Sequence, residues 1–248
     1  MKRSSSRRLL QGTLTLTSIA GLAACAPAPV EVQPTPAPVS YRPYPPMGAA
    51  PNLAIPPVGT DGTRLTINSG ISSKQAAWNL RSAYNVAALN CQKAEHASIL
   101  ANYGEFLKLH KVSLSSINRS LDSEFKAKHG RGYIRKREAF QTQVYNYFAL
   151  PPVMPSFCDA TLALGQELRS IPSGQLETYA PTGLAKIEMT FHNFFNSYDQ
   201  YRRDFALWQT GFEAKYGSPP PDGYFLPGER RIQSQVAPAQ AQASSPAP

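Results

Sequence analysis

The chain has 248 residues, enough for one substantial domain with tails, and much of its formal charge of +9 is concentrated at its start. Without Lys2, Arg3, Arg7 and Arg8 the balance is 21 basic against 16 acidic residues, or +5, too mild to argue for a nucleic-acid partner. Of the 23 prolines, eleven lie between Pro27 and Pro57, seven follow Gly217 and five fall between, which reads as one folded domain flanked by two arms.

Residues 1–8 are short and basic, and residues 9–24 are apolar or small without charge. That uncharged run of about 16 residues is short for a bilayer span of about 20 and fits the hydrophobic core of an export signal. It ends Leu22-Ala23-Ala24-Cys25. This tetrapeptide resembles the bacterial lipobox, and the chain is to that extent similar to bacterial lipoproteins. The resemblance implies cleavage before Cys25, diacylglycerol on its thiol and residues 1–24 as a removed signal. An ordinary secretory signal with a chance cysteine is the alternative.

Ser6-Arg7-Arg8-Leu9-Leu10 partly resembles a twin-arginine signal, from which Gln11 and Gly12 depart. Ala26 stands where lipoproteins kept at the inner membrane commonly carry Asp, so the resemblance implies an outer-membrane anchor facing the periplasm, provided the cell is Gram-negative. Residues 25–59 read as the acylated cysteine and a proline-rich spacer of polyproline II type, about 100 Å if extended. A proline-rich ligand for an SH3-type domain is the competing reading.

The folded domain is expected over 60–217. Residues 63–67 (TRLTI) are a short strand or an extended approach. A helix then starts with Ser72 as cap, Gln75 at the capping-box position and Ile71 as staple, and runs over 73–91 with five alanines that allow close approach. A second, long helix is expected over 94–129, with Ile99, Tyr103, Phe106, His110, Leu114, Ile117, Leu121 and Phe125 on its apolar face. Ser113, Ser115 and Ser116 mark a candidate kink, and Gly130 suits the position just past the end. A third helix covers 134–150 up to Pro151-Pro152. A fourth is expected from Ser156 as cap, with Asp159 three residues on, to about residue 170, followed by a break and a short turn over 175–179.

Pro181 is expected to precede the longest helix, 182–217, about 50 Å at 1.5 Å per residue. Leu184, Ile187, Phe191, Phe194, Tyr198, Tyr201, Phe205, Trp208 and Phe212 alternate spacings of three and four, drawing one seam along it. Such a seam is the core of a bundle or, on a sharper reading, a groove for an apolar ligand or partner helix. Phe125-Lys-Ala-Lys-His129-Gly130 recurs as Phe212-Glu-Ala-Lys-Tyr216-Gly217, two helices stopped by the same chemistry. Residues 218–248 read as a tail too poor in large apolar residues to fold, although Tyr224, Phe225 and Leu226 are candidates to dock. The fold class expected is all-α, an antiparallel bundle of about five helices with long disordered N- and C-terminal arms.

If Cys25 is acylated, Cys91 and Cys158 remain as an even pair in an exported domain, which favours a disulfide between helix ends, with two buried thiols as the alternative. No CxxC, HExxH, GxSxG, P-loop or GxGxxG occurs. Glu188 and His192 share a helix face, a pairing that more often reports a surface contact than a metal site, and His110 reads as a core histidine. The chain is therefore expected to be no enzyme and to need no cofactor or metal. Lys126, Lys128, His129, Arg131, Arg135, Lys136 and Arg137 cluster at a helix end, a turn and the next helix start, where basic residues oppose the second dipole. Lys128, Arg131, Arg135, Lys136 and Arg137 are thus either a solvated turn or an anion contact for lipid headgroups, lipopolysaccharide phosphates or cell-wall carboxylates.

Residues 85–91 (NVAALNC) and 145–152 (YNYFALPP) are similar to segments of uncharacterised alphaproteobacterial envelope lipoproteins, which implies location and fold without an activity. The functional expectation is a lipid-anchored envelope lipoprotein with a non-enzymatic structural or interaction role and an envelope-protein or cell-wall partner. A binding module for an apolar or anionic ligand, through the seam or the basic turn, is the alternative.

Overall fold

Ser72 opens the first helix with a reciprocal cap. Its hydroxyl accepts from the Gln75 N–H at 3.1 Å, and the Gln75 side chain accepts from the Ser72 N–H at 3.0 Å. The computed structural model describes residues 41–229, and this helix, α1, is Ser73–Asn90. Its alanines are the reason it sits at the centre. Ala76, Ala77, Ala83 and Ala87 are all buried, and α1 contacts every other α-helix of the fold.

The expected second helix is interrupted. A 3₁₀ turn, Ala94–His96, leads into α2 (Ser98–Leu109) and α3 (Lys111–His129). The break falls at His110, which takes φ −100° and ψ 13°, three residues before the expected serines. Its fully buried ring packs on Phe106 at 4.9 Å, so tertiary packing rather than a local breaker sets the bend. Ser113 instead uses its hydroxyl to reach the Ser173 carbonyl. Gly130, with φ 58°, ends α3 and turns the chain into α4 (Tyr133–Phe148); Gly217, with φ 70°, ends the last helix. The recurring FxAKxG segments each end a helix at a glycine of positive φ, but in different conformations: ψ is −137° at Gly130 and 7° at Gly217.

A 3₁₀ turn, Pro151–Val153, follows α4 and feeds directly into α5 (Met154–Leu168). Ser156 is therefore not a cap. It lies inside α5, and its hydroxyl donates to the Val153 carbonyl at 3.1 Å. The last helix, α6, runs unbroken from Leu176 to Tyr216, with Pro181 inside it rather than before it. A proline beyond the first turn costs roughly 3 kcal/mol. Leu176 and Ala180, both fully buried, anchor the preceding turn and offset much of that cost.

Among the described residues the fold is all-α, with no strand beyond the isolated bridge Val58–Arg64. Six α-helical segments result because the second helix is split. Consecutive helices form hairpins: Tyr84 meets Tyr103 across α1 and α2, Phe125 meets Phe140 across α3 and α4, and Glu167 meets Lys186 across α5 and α6.

The aromatic seam is core. Every seam residue from Leu184 to Trp208 is buried and Phe212 is partly so, which rules out an open groove. Helices cover only its first part. Farther along α6, the cover comes from segments expected to be spacer and tail. The Leu53 N–H donates to Tyr198 Oη at 2.9 Å, that hydroxyl donates to the Ala50 carbonyl at 2.6 Å, and Arg202 donates to the Leu53 carbonyl at 3.0 Å. From the other end, Phe225 packs edge-on against Phe205 and Tyr224 stacks over Trp208. Arg42 and Glu229 then join the two segments directly. The folded domain thus extends on both sides of the expected 60–217.

Candidate functional site

Residues 53–72 form a strap across α6, and its local turns decide which side chains face inward. The Gly59 N–H donates to the Thr63 carbonyl at 2.8 Å, and Asp61 Oδ1 accepts from the Thr63 N–H at 2.9 Å. That backbone donor holds the Asp61 carboxyl below the usual carboxylate range. The turn directs Arg64 inward over the face of Phe195, 5.5 Å from the ring centroid. Its guanidinium donates to Asp199 at 2.6 Å, Asn196 at 3.0 Å and the Pro56 carbonyl at 2.8 Å.

A second tight turn follows, in which the Thr66 N–H donates to Ser69 Oγ and the Asn68 N–H to Thr66 Oγ1. It aims two donors at Glu188 on α6. Thr66 Oγ1 donates to Oε2 at 2.8 Å, Asn68 Nδ2 to Oε1 at 2.6 Å, and Tyr147 Oη from α4 donates to Oε2 at 3.1 Å. Asn79 Nδ2 in turn donates to Asn68 Oδ1 at 2.7 Å and fixes that amide. Glu188 is only 8% exposed. Burial, and next the charge of Glu188, push the Tyr147 hydroxyl far above the usual tyrosine range. His192, one turn along α6, brings Nε2 to 3.5 Å from Glu188 Oε2.

Glu188 and His192 border a cleft of about 490 Å³ between the strap, the start of α1 and the first half of α6. The Glu188–His192 pair is thus no plain surface contact. What the sequence could not show was the strap, since Thr66 and Asn68 lie more than a hundred residues away. The available signal was Glu188's place on the helix, four residues after Leu184 and three before Phe191, hence on the buried arc.

On the other side of the strap, residues 66–71, α3 and α4 enclose a second groove of about 580 Å³. Lys128, His129 and Lys136 line it, together with Glu124, which accepts from Ser72 Oγ at 2.9 Å. Of the expected anion contacts, Lys128 and Lys136 are brought together here. Arg131 and Arg135 are exposed but lie outside the groove lining. Arg137 is a correction: its guanidinium is held by Asp122 and Asn118 over the Trp78 ring, and serves the α3–α4 hairpin.

Cys91 and Cys158 are joined in a disulfide at Cα–Cα 5.6 Å, tying the end of α1 to α5. Asp159 beside it meets the buried His96 Nε2 at 2.7 Å. His110 is buried as expected. Burial holds it below its ordinary pKa, against the opposing pull of the Ser173 and Leu168 carbonyls. Cys25, the expected export signal and the proline-rich stretch up to residue 40 lie outside the described residues. Among the described residues no helix is long and apolar enough to cross a membrane, and no three His, Cys, Asp or Glu residues converge to hold a metal ion. No protein-family model, curated protein or solved structure matches the chain.

Proposed function

We propose that the chain is a lipid-anchored lipoprotein of the cell envelope, fixed through Cys25 to the outer membrane and facing the periplasm, with a non-enzymatic structural or interaction role towards an envelope-protein or cell-wall partner. The observation that carries this is the N-terminal pattern: a basic start, an uncharged apolar run and Leu22-Ala23-Ala24-Cys25. The Cys91–Cys158 bridge supports it independently, because such bonds persist in oxidising compartments. Residues 41–59 pack on the domain, so the tether comprises only the residues between Cys25 and Tyr41. Those reach about 50 Å at full polyproline extension, half of what the whole proline-rich stretch allows.

Intact mass of protein from its native envelope tests the reading. A chain beginning at Cys25 with diacylglycerol and acyl mass is expected, gaining two protons on reduction. An unacylated chain cut elsewhere sinks the proposal and leaves a secreted bundle.

A second reading, an anion contact at the basic turn, is favoured by the shared groove of Lys128, Lys136 and His129. Neither lysine has an acidic partner among the described residues. Anionic vesicles are expected to retain the unacylated domain at low salt and to lose it on Lys128→Ala/Lys136→Ala. Equal retention of both proteins refutes the groove.

A further inference from the structure

We propose that the cleft at Glu188 is a binding site for a primary alkylammonium group, with Glu188 as its counter-ion and His192 as a second acceptor. The carboxylate is nine-tenths buried, and its partners Thr66, Asn68 and Tyr147 are all neutral donors. Among the described residues the only basic side chain within 4 Å is His192, at 3.5 Å. Arg64, which also borders the cleft, is committed to Asp199, Asn196 and the Pro56 carbonyl. A buried carboxylate without a full counter-ion carries a desolvation cost of several kcal/mol, and a cationic guest offsets it.

Two acceptor positions converge on the same space. A carboxylate oxygen accommodates about two donors, and Oε1 receives only Asn68 Nδ2. His192 Nε2 is shielded from solvent and makes no hydrogen bond. In a neutral imidazole with its proton on Nδ1, that nitrogen is an acceptor. An ammonium has three donors: one meets Oε1, and a second meets Nε2 once the half-exposed imidazole, which lines the cleft, turns to uncover it.

The shape of the site argues against other cations. A guanidinium needs both carboxylate oxygens free on one edge for a bidentate fork, and Oε2 already takes two donors. A metal ion needs more ligands than one carboxylate and one imidazole, and no such group converges here among the described residues. Pro181, Leu184 and Ala185 on α6 and Ile71 give the cleft one apolar side, with the exposed Met189 beside them, while Ser69 and Ser72 line the opposite edge. A cleft of about 490 Å³ suits a short aliphatic amine or an ethanolamine headgroup. These share one chemistry and come from different sources. The site does not depend on the lipid anchor.

The test is calorimetric titration of the full chain with n-butylammonium chloride at constant ionic strength, with n-butanol as the uncharged control. Saturable millimolar or tighter binding is expected for the amine and none for the alcohol. Glu188→Gln, shown to be folded by its dichroism, is expected to weaken binding by at least about tenfold, the scale of a lost charge-assisted hydrogen bond. His192→Leu, at a half-exposed position, is expected to weaken it severalfold and decides the matter if Glu188→Gln does not fold. No saturable binding, equal binding of butanol, or unchanged affinity in a folded variant overturns the proposal. Competition by vesicles containing phosphatidylethanolamine, but not by phosphatidylcholine alone, assigns the amine to a lipid headgroup. Absence of that competition, with butylammonium binding intact, assigns it to a free amine.

Discussion

Arg42→Met is expected to release both terminal segments from the far end of α6 without unfolding the helices. Glu229 is fully buried, and its carboxylate takes Arg42, the Leu226 N–H and Tyr201 Oη, the last at 3.0 Å. Burial of Tyr201 itself, and next the charge of Glu229, push its hydroxyl far above the usual tyrosine range. Arg42 also lies over Tyr44 and Phe205, 4.9 and 5.9 Å from the ring centroids. Removing one member of a buried ion pair costs about 3–5 kcal/mol, because the other is left uncompensated. At about 1.4 kcal/mol per tenfold, the docked state loses roughly two to three and a half orders of magnitude in population ratio. Hydrogen exchange read on peptides spanning residues 49–53 and 222–229 reports the change as lost protection at Leu53 and Leu226. Arg42→Met/Glu229→Gln removes both charges, and Gln can still accept from Tyr201, so it is expected to recover most of the loss. Unchanged protection in the single variant, or a double variant as exposed as the sum of its parts, refutes the idea that this pair closes the domain.

The remaining expectations concern the body of the bundle. Replacing Cys91 and Cys158 by alanine frees a loop whose ends are 67 residues apart, and denaturant titration is expected to show a loss of about 4 kcal/mol in the chain-entropy model; a loss below 1 kcal/mol contradicts it. Gly165→Ala sets a Cβ 2.6 Å from Tyr84 Oη and is expected to cost about 1–3 kcal/mol. Tyr84→Phe removes a buried hydroxyl that makes no hydrogen bond, is expected to gain about 1 kcal/mol, and should relieve most of the Gly165→Ala defect in the double variant. Burial holds the His110 pKa below 6.5 in the fold, so the unfolded chain binds that proton first. The stability due to neutral His110 is full above pH 6.5 and is lost as pH falls from there through the lower folded value. Melting temperature between pH 7.5 and 5 is expected to fall less steeply for His110→Leu than for the native chain; parallel slopes refute it.

Local chemistry made much of the bundle legible in advance. The Ser72 capping box, the prolines after α4 and the glycines after α3 and α6 each act within a few residues of themselves, and all stand where the sequence implied. The misplacements share one cause. His110 bends the chain because its ring is packed into the core, Pro181 is carried because the turn before it is buried, and Ser156 loses its capping role to the Pro151–Val153 turn. In each case packing or a neighbouring turn outweighs a signal worth about 1–3 kcal/mol.

The same logic explains why the proline-rich segment misled. Eleven prolines from Pro27 to Pro57 argue against helix and strand ladders there, but absence of regular structure is not absence of folding. Proline in fact lowers the entropy lost when an extended segment docks, so a proline-rich strap is a favourable cover for an aromatic helix face. What holds that segment and the strap that continues it down is polar and non-periodic: Tyr198 to Ala50 and Leu53 and Arg202 to Leu53 for the first, Arg64 to Asp199 and Thr66 and Asn68 to Glu188 for the second. None of these pairs leaves a trace in hydrophobic periodicity, because each joins residues more than a hundred positions apart. The cleft at Glu188 exists only because that strap is folded. Glu188→Gln and deletion of residues 41–59 therefore part company: the first removes a charge from a standing site, whereas the second removes part of the strap and uncovers Tyr198. If the deleted chain still binds butylammonium as the native chain does, residues 41–59 are dispensable to the cleft, and residues 63–73 hold their places over α6 without them.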